Sequence, residues 1–236
     1  QSFYNNFHDH YGGDLGLGVN PKLIARINKS DYLVLLGGRI SENPSQGFSL
    51  FGIPEHNKRI VHIHPGPEEI GRIYKPHLGI PCSPISFANA LNNALKGLNT
   101  KPSSENQINT NQAHEEYLEW GNMPLEAPNS GVDLTSAFRS LRENLEPNTI
   151  ITNGAGNYAV WGHRLFRFTK IKTQLAPISG SMGYGLPAAI AAKLRFPDSM
   201  VIALAGDGCF QMTENEYATA VQYNAAVIVL VVDNEM

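Results

Sequence analysis

Apolar positions along this chain follow two rhythms. "NPKLIARINKS" (20–30) carries Leu23, Ile24 and Ile27 on one helical face, with Asn20 as the N-cap and Pro21 at the first helical position. "YLVLLGG" (32–38) is a continuous apolar run closed by glycines, which predicts a strand buried on both faces. A second strand is expected at "RIVHIH" (59–64), closed by "PGP". A closing helix follows at "PISFANALNNALKGLN" (84–99), where Ile85, Ala88, Leu91, Leu95 and Leu98 fall near helical spacing. The stretch 100–131 is polar, amide-rich and aperiodic, so it reads as a linker with a helical patch near Ala113–Trp120.

The alternation then resumes. "DLTSAFRSLRENL" (133–145) is amphipathic, and "NTIITNG" (148–154) predicts a strand running into a glycine turn. "NYAVWGHRLFRF" (157–168) is expected to be helical, and "SGSMGYGLPAAIAAKLRF" (179–196) is a glycine-rich turn opening a helix of small residues. "MVIALA" (200–205) predicts a strand, "TENEYATAVQYN" (213–224) a helix, and "AVIVLVVDN" (226–234) a last strand. Thr213 and Glu216 have the spacing of a capping box. The fold class is therefore α/β, with two doubly wound parallel-sheet domains, both incomplete in this chain. The expected divisions are 1–100, a linker at 101–127, and 128–236. Because the chain begins at Gln1 and stops at Met236 directly after a strand-like run, a piece of a longer protein is expected.

Composition narrows the partners. With 42% hydrophobic and 17% charged residues this is an ordinary globular chain. A formal net charge of -3 gives no electrostatic reason to expect nucleic acid or an anionic membrane. The run "AAVIVLVV" (225–232) is far too short to span a bilayer, and the opening "QSFYNNFHDHYGG" has no signal-peptide pattern. Two cysteines, Cys82 and Cys209, make no disulfide framework, so a reducing, cytoplasmic compartment is expected.

The chemistry gathers at "LAGDGCFQMT" (204–213), where Asp207 stands between Gly206 and Gly208 after an apolar run. Strand, loop, helix and strand from 200 to 234 form one right-handed crossover, which leaves both strand ends at the same sheet edge. Asp207 ends one strand and Asn234 the other. A carboxylate and an amide oxygen in one crevice suit Mg²⁺ or Ca²⁺. Gly206 and Gly208 let the backbone approach a ligand closely, and the Gly208 and Cys209 amides can donate to a phosphate. A cation between Asp207 and a diphosphate turns their repulsion into a clamp. Gly-Asp-Gly is also ordinary turn chemistry. The Asn at the matching strand end is what favours a metal site.

The stretch from Gly206 to Asn234 resembles the thiamine diphosphate signature of the acetolactate synthase, pyruvate oxidase and benzoylformate decarboxylase superfamily. The resemblance implies that Asp207 and the Asn234 side chain ligate Mg²⁺, with the Met236 main-chain carbonyl as third protein ligand. "SGSMGYGLPAAIAAKL" resembles the family segment that precedes this motif. It implies that the Gly180 carbonyl accepts from the cofactor's 4′-amino group and that the Met182 amide donates to the pyrimidine ring. The Met182 side chain would wedge between the two rings, which an unbranched thioether can do; plain core packing is its other reading. "TNGAGNYAVW" (152–161) falls where the family has further diphosphate contacts, with Gly156 and Asn157 as candidates. A plain glycine turn capped by Asn157 is the competing reading.

The first hundred residues resemble the later part of the family's central domain, and 128–236 its diphosphate-binding domain. Flavin-binding members commonly carry acidic residues after the second strand, where this chain has "HIHPGP", so FAD or ADP there is doubtful. His62 and His64 share a strand face without an evident third ligand, and no chemistry is assigned to them. The implied function is a thiamine diphosphate- and Mg²⁺-dependent carbon–carbon lyase or ligase acting on a 2-oxo acid, of acetolactate synthase type. A 2-oxo acid decarboxylase, an acyl-CoA lyase or a non-catalytic nucleotide-binding or subunit-interaction module are the other readings. The family's activating glutamate lies on an amino-terminal domain that no segment here resembles. No catalytic residue is therefore assigned, the piece alone is expected to be inactive, and the full-length protein is expected to be a homodimer or tetramer.

Overall fold

The computed structural model describes residues 3–53, 56–98, 101–123 and 131–233. They form two compact units. One is Val19–Gln112; the other joins the residues up to Gly18 with those from Ala113 onward.

In the first unit, α1 (Pro21–Lys29) starts as its sequence dictates. The Asn20 side-chain oxygen accepts the Lys22 N–H at 2.9 Å, and Pro21 sits where no N–H is needed. β1 (Tyr32–Leu36), β2 (Arg59–His64) and β3 (Leu78–Pro81) form a parallel sheet in that order. Ile60 and Ile63 of β2 are fully buried, and Phe51 meets Tyr74 edge-on at 5.2 Å. β3 was not foreseen, because four residues that include a glycine and a proline read as a turn. β1 is not buried on both faces. Among the described residues it pairs only with β2, and Tyr32, Val34 and Leu36 are exposed along it. α2 (Pro84–Leu95) is capped by the Ser83 hydroxyl, which accepts from Ser86 N–H, and is shorter than the expected 84–99. Its apolar positions Ile85, Leu91 and Leu95 are exposed rather than packed.

α3 (Ser104–Asn122) is a continuous helix where only a short patch was expected. Its first half is amide-rich, Gln107 Nε2 donating to Asn111 Oδ1 at 2.9 Å, and offers no apolar stripe for a pattern to reveal.

The second unit takes in residues 3–18. Asn6, 1% exposed, donates its N–H to the Phe168 carbonyl and accepts the Phe168 N–H on Oδ1, each at 2.8 Å. Trp120 Nε1 donates to the Gly18 carbonyl at 3.0 Å, and the Arg164 guanidinium stacks on the Trp120 ring at 3.7 Å. α4 (Leu134–Asn144) starts at Asp133, whose carboxylate accepts from Thr135 and Ser136. The Ser136 hydroxyl and these amides hold the Asp133 carboxyl below its usual range.

Then come β4 (Ile150–Asn153), α5 (Ala159–Leu165), β5 (Gln174–Leu175), α6 (Gly185–Arg195), β6 (Val201–Gly206), α7 (Asp207–Gln211), α8 (Glu216–Gln222) and β7 (Ile228–Val232). The four strands form a parallel sheet in the order β5-β4-β6-β7. Side chains alternate between two cores. Ile151, Ile202 and Leu204 pack with Phe138 and Leu165 on one face, while Ile150, Val201 and Ala203 meet Ala189 and Ala192 of α6 on the other. This two-sided cover is the doubly wound α/β arrangement.

Two expectations are corrected. The helix foreseen over 157–168 is confined to α5, because Phe166 turns to an extended backbone. The helix foreseen over 213–224 is shortened to α8, with α7 a separate short helix before it, and the capping box does not form. Thr213 instead donates its hydroxyl to the Gly183 carbonyl at 2.9 Å, and Glu216 accepts the Thr219 hydroxyl at 2.8 Å. Among the described residues no helix is long and apolar enough to cross a membrane.

α6 starts in contact with the strand ends. A Cβ on Gly185 would lie 3.0 Å from the Gly154 nitrogen and 3.2 Å from the Leu204 oxygen, and this backbone cannot yield as a side chain can. The buried Thr152 hydroxyl donates to the Gly185 carbonyl at 2.7 Å and fixes the same junction. Gly185→Ala is expected to cost about 1–3 kcal/mol, the range for overpacking a close-packed interior, measured as a lower urea midpoint with unchanged slope.

Candidate functional site

The strand order reverses at the centre of the second unit's sheet. From β4 the chain moves outward to β5, whereas from β6 it moves outward to β7 on the other side. The loops leaving the carboxyl ends of β4 and β6 therefore part, and an open α/β sheet binds its ligands in the crevice between such loops. A cleft of about 440 Å³ lies there, within the roughly 300–1,000 Å³ of ligand pockets. Its walls are residues 155–158 after β4, residues 206–209 after β6, and Met182 from the turn before α6; Leu134, Trp161 and Val232 complete it.

Seven of the eight described candidate residues thus line one cleft: Gly156, Asn157, Met182, Gly206, Asp207, Gly208 and Cys209. The eighth, Gly180, sits in the exposed turn before Met182 and is not part of the lining. Asn234 and Met236 lie outside the described residues. β7 ends at Val232, in register with Gly206.

Asp207 is the first residue of α7, not the last of a strand, so Gly208 and Cys209 lie inside the helix's first turn. The amides of that turn have no intrahelical acceptor, and no side chain caps them. Beyond Gly208 a Cβ would meet only the Met182 Cε, at 3.8 Å, so bare backbone faces the cleft. Asp207 is the sole carboxylate among the described lining residues. Nor does any side chain cap α5; Asn157 gives its carbonyl to the Val160 N–H at 3.1 Å and is itself exposed to the cleft.

Tyr158 was missed in the sequence reading. Its ring lies beneath both glycine loops, so that a Cβ on Gly206 would come within 3.2 Å of it. Its buried hydroxyl donates to Cys209 Sγ at 3.4 Å. Burial, then the hydrogen bond to Cys209, pushes the phenol well above its ordinary pKa, opposed by the Gly154 and Gly206 amides. The only signal for it was an aromatic residue directly after the Gly-Asn turn. Cys209 Sγ also accepts the Gly183 N–H at 3.2 Å. A Cβ on Gly154 would overlap the same sulfur, which is why the β4 loop opens with glycine.

In the first unit, His62 and His64 stay with backbone partners. His62 Nε2 is 3.2 Å from the Gly38 carbonyl, and His64 Nδ1 accepts the Gly66 N–H at 3.0 Å. Burial holds His62 below its ordinary pKa. Among the described residues no three His, Cys, Asp or Glu side chains gather as a metal site.

Both parts of the chain match models of one enzyme family. Residues 154–236 match the thiamine pyrophosphate enzyme C-terminal TPP binding domain, and residues 1–91 match the central domain of the same enzymes. The chain belongs to the thiamine pyrophosphate enzyme family. The residues before Gly18 thus fall in the family's central-domain match, although they pack with the other unit.

Similar proteins include the acetolactate synthase large subunit of Cyanidium caldarium, 25% identical over 98% of this chain. Acetolactate synthase 1, chloroplastic, of Oryza sativa subsp. japonica is 30% identical over 93% of the chain. The chloroplastic acetolactate synthase of Arabidopsis thaliana is 29% identical over 93%. The chain spans 39%, 34% and 32% of these proteins' own lengths, respectively.

The two thiols differ in access, Cys209 being buried and Cys82 half-buried. In the folded chain Cys82 is expected to react with iodoacetamide well before Cys209, and the two rates should converge in urea. Mass spectrometry of the labelled peptides checks this.

Proposed function

We propose that this chain carries the diphosphate- and metal-binding half of a thiamine diphosphate site. The protein it represents would make or break a carbon–carbon bond beside the carbonyl of a 2-oxo acid, as an acetolactate synthase does. The observation that carries this reading is the cleft at the β4/β6 reversal, with Asp207 opening α7 between two glycines.

The donor set fits the cofactor. First-turn amides of α7 and bare backbone at Gly206 and Gly208 suit a diphosphate, as helix N-termini suit anions generally. Asp207 would bind Mg²⁺ and through it the phosphates, with the Asn234 side chain and the Met236 carbonyl as the family's further ligands. When bound, thiamine diphosphate supplies an electron sink for the carbon that loses its bond. The chain's own work is positional: Gly156 and Asn157 would bracket the diphosphate from the β4 side, and Met182 would keep the two rings bent.

Asp207 is committed to the metal end and no other carboxylate is among the described lining residues, so proton transfer at the far ring falls to a group outside this set. The exposed turn at Gly180 and Met182 leaves the pyrimidine end to be covered by another surface, consistent with a homodimer or tetramer. The two free cysteines fit a reducing compartment such as the cytoplasm.

Calorimetric titration with thiamine diphosphate, with and without Mg²⁺, tests the reading. Wild type is expected to bind only with the metal, and Asp207→Ala is expected to lose that binding. Metal-independent binding that survives Asp207→Ala would overturn it.

A further inference from the structure

Three separate segments meet beneath the cleft at one sulfur atom. Cys209, in the first turn of α7, is 3% exposed and accepts two hydrogen bonds. One comes from the Tyr158 hydroxyl (3.4 Å), in the loop after β4, and the other from the Gly183 amide (3.2 Å), in the turn before α6. These are the three segments that also supply Gly156 and Asn157, Met182, and Asp207 to the cleft wall.

The loops leaving β4 and β6 belong to connections that diverge, so the strand ladder between them ends at the crevice, at the Asn153–Leu204 pair. Beyond that pair, after a last backbone bond from the Gly154 N–H to the Leu204 carbonyl (3.4 Å), the phenol–thiol contact links the two loops, with the ring filling the space below Gly156 and Gly206. The Gly183 amide extends the link to the third wall, and the Thr213 hydroxyl on the Gly183 carbonyl (2.9 Å) closes it from the other side.

We propose that Tyr158 and Cys209 are positioning residues: a buried phenol–thiol–amide pin that holds the three cleft-forming loops in one binding geometry. Neither side chain need touch a ligand for this. The pin acts through Asp207, two residues before the thiol, and through Met182, adjacent to the pinned Gly183. The inference rests on the cofactor reading for what the geometry serves, but the pin itself can be measured without any ligand.

Amide hydrogen exchange of the ligand-free chain gives the first arm. Tyr158→Phe keeps the ring and removes only the hydroxyl. It is expected to raise exchange at Gly183, whose own hydrogen bond goes to Cys209, by about tenfold, the scale of one lost hydrogen bond. Exchange inside β4 and α6 should be unchanged. Cys209→Ala is expected to do the same, and Cys209→Ser, which restores an acceptor, to recover most of the protection. Wild-type exchange at Gly183 in Tyr158→Phe would overturn the pin.

Calorimetry with Mg²⁺ and thiamine diphosphate, far below the unfolding midpoint, gives the second arm. Each of Tyr158→Phe and Cys209→Ala is expected to weaken binding about tenfold, and the double variant little further, since both break one link. A merely structural role would lower the midpoint and leave the folded protein's affinity intact; affinities within twofold of wild type would therefore sink the positioning role. Should wild type fail to bind, or Asp207→Ala bind like wild type, it is the cofactor reading that fails, and the exchange arm still decides the pin.

Discussion

The second unit depends on one constraint, that β4 and β6 pair in parallel while their connections leave in opposite directions. Side-by-side pairing requires apolar side chains on both faces, and Ile150, Ile151, Val201 and Ile202 supply them alternately. Parting connections then open the sheet at its carboxyl edge. Nothing further is needed to create a crevice, and what remains for the sequence is to line it. It does so with glycine where backbone must approach and, among the described residues, with a single carboxylate at the start of a helix.

An opening between loops carries a cost in order, because backbone at a sheet's edge has lost its ladder partners. The chain offsets this from below. A bulky ring fills the floor, and the small residues Gly154, Gly185 and Gly206 allow the neighbouring segments to close around it until backbone touches backbone. The tolerance is narrow on both sides: an added methyl at Gly185 overfills the junction, and removal of the Tyr158 hydroxyl leaves polar groups without their partner in a dry interior.

Much of this was legible in the chain itself. β2, β4, β6 and β7 follow apolar runs bounded by turn residues, and Asn20–Pro21 marks the start of α1 because capping chemistry is local. Asp207 and the two glycines beside it were readable as candidates because their place is a property of the crossover, and Met182 because its segment resembles the family's; all four line the cleft. Tyr158 was not, because its importance comes from what lies above it in space. The failures have similar roots. The first half of α3 has no apolar stripe, β3 is too short and too turn-like, and Thr213 has the spacing of a capping residue but finds the Gly183 carbonyl, thirty positions back in sequence. β1 reads as doubly buried because apolarity in sequence does not say whether a neighbour is there to cover it.

The contact between Asn6 and Phe168 spans 162 positions, so the segment around Asn6 cannot dock until Phe168 has been synthesised. If Val19–Gln112 folds first, that stretch becomes a preformed object, and the flexible length that must be closed shrinks to the segments flanking it. The closure entropy grows only with the logarithm of free length, so the gain in free energy is modest; the effect on order of events is larger. Assembly would then proceed from the inserted unit outward, with the segment around Asn6 seating after it, and polar Asn6 would guide it by two directional hydrogen bonds where an apolar anchor would invite mispairing during that wait.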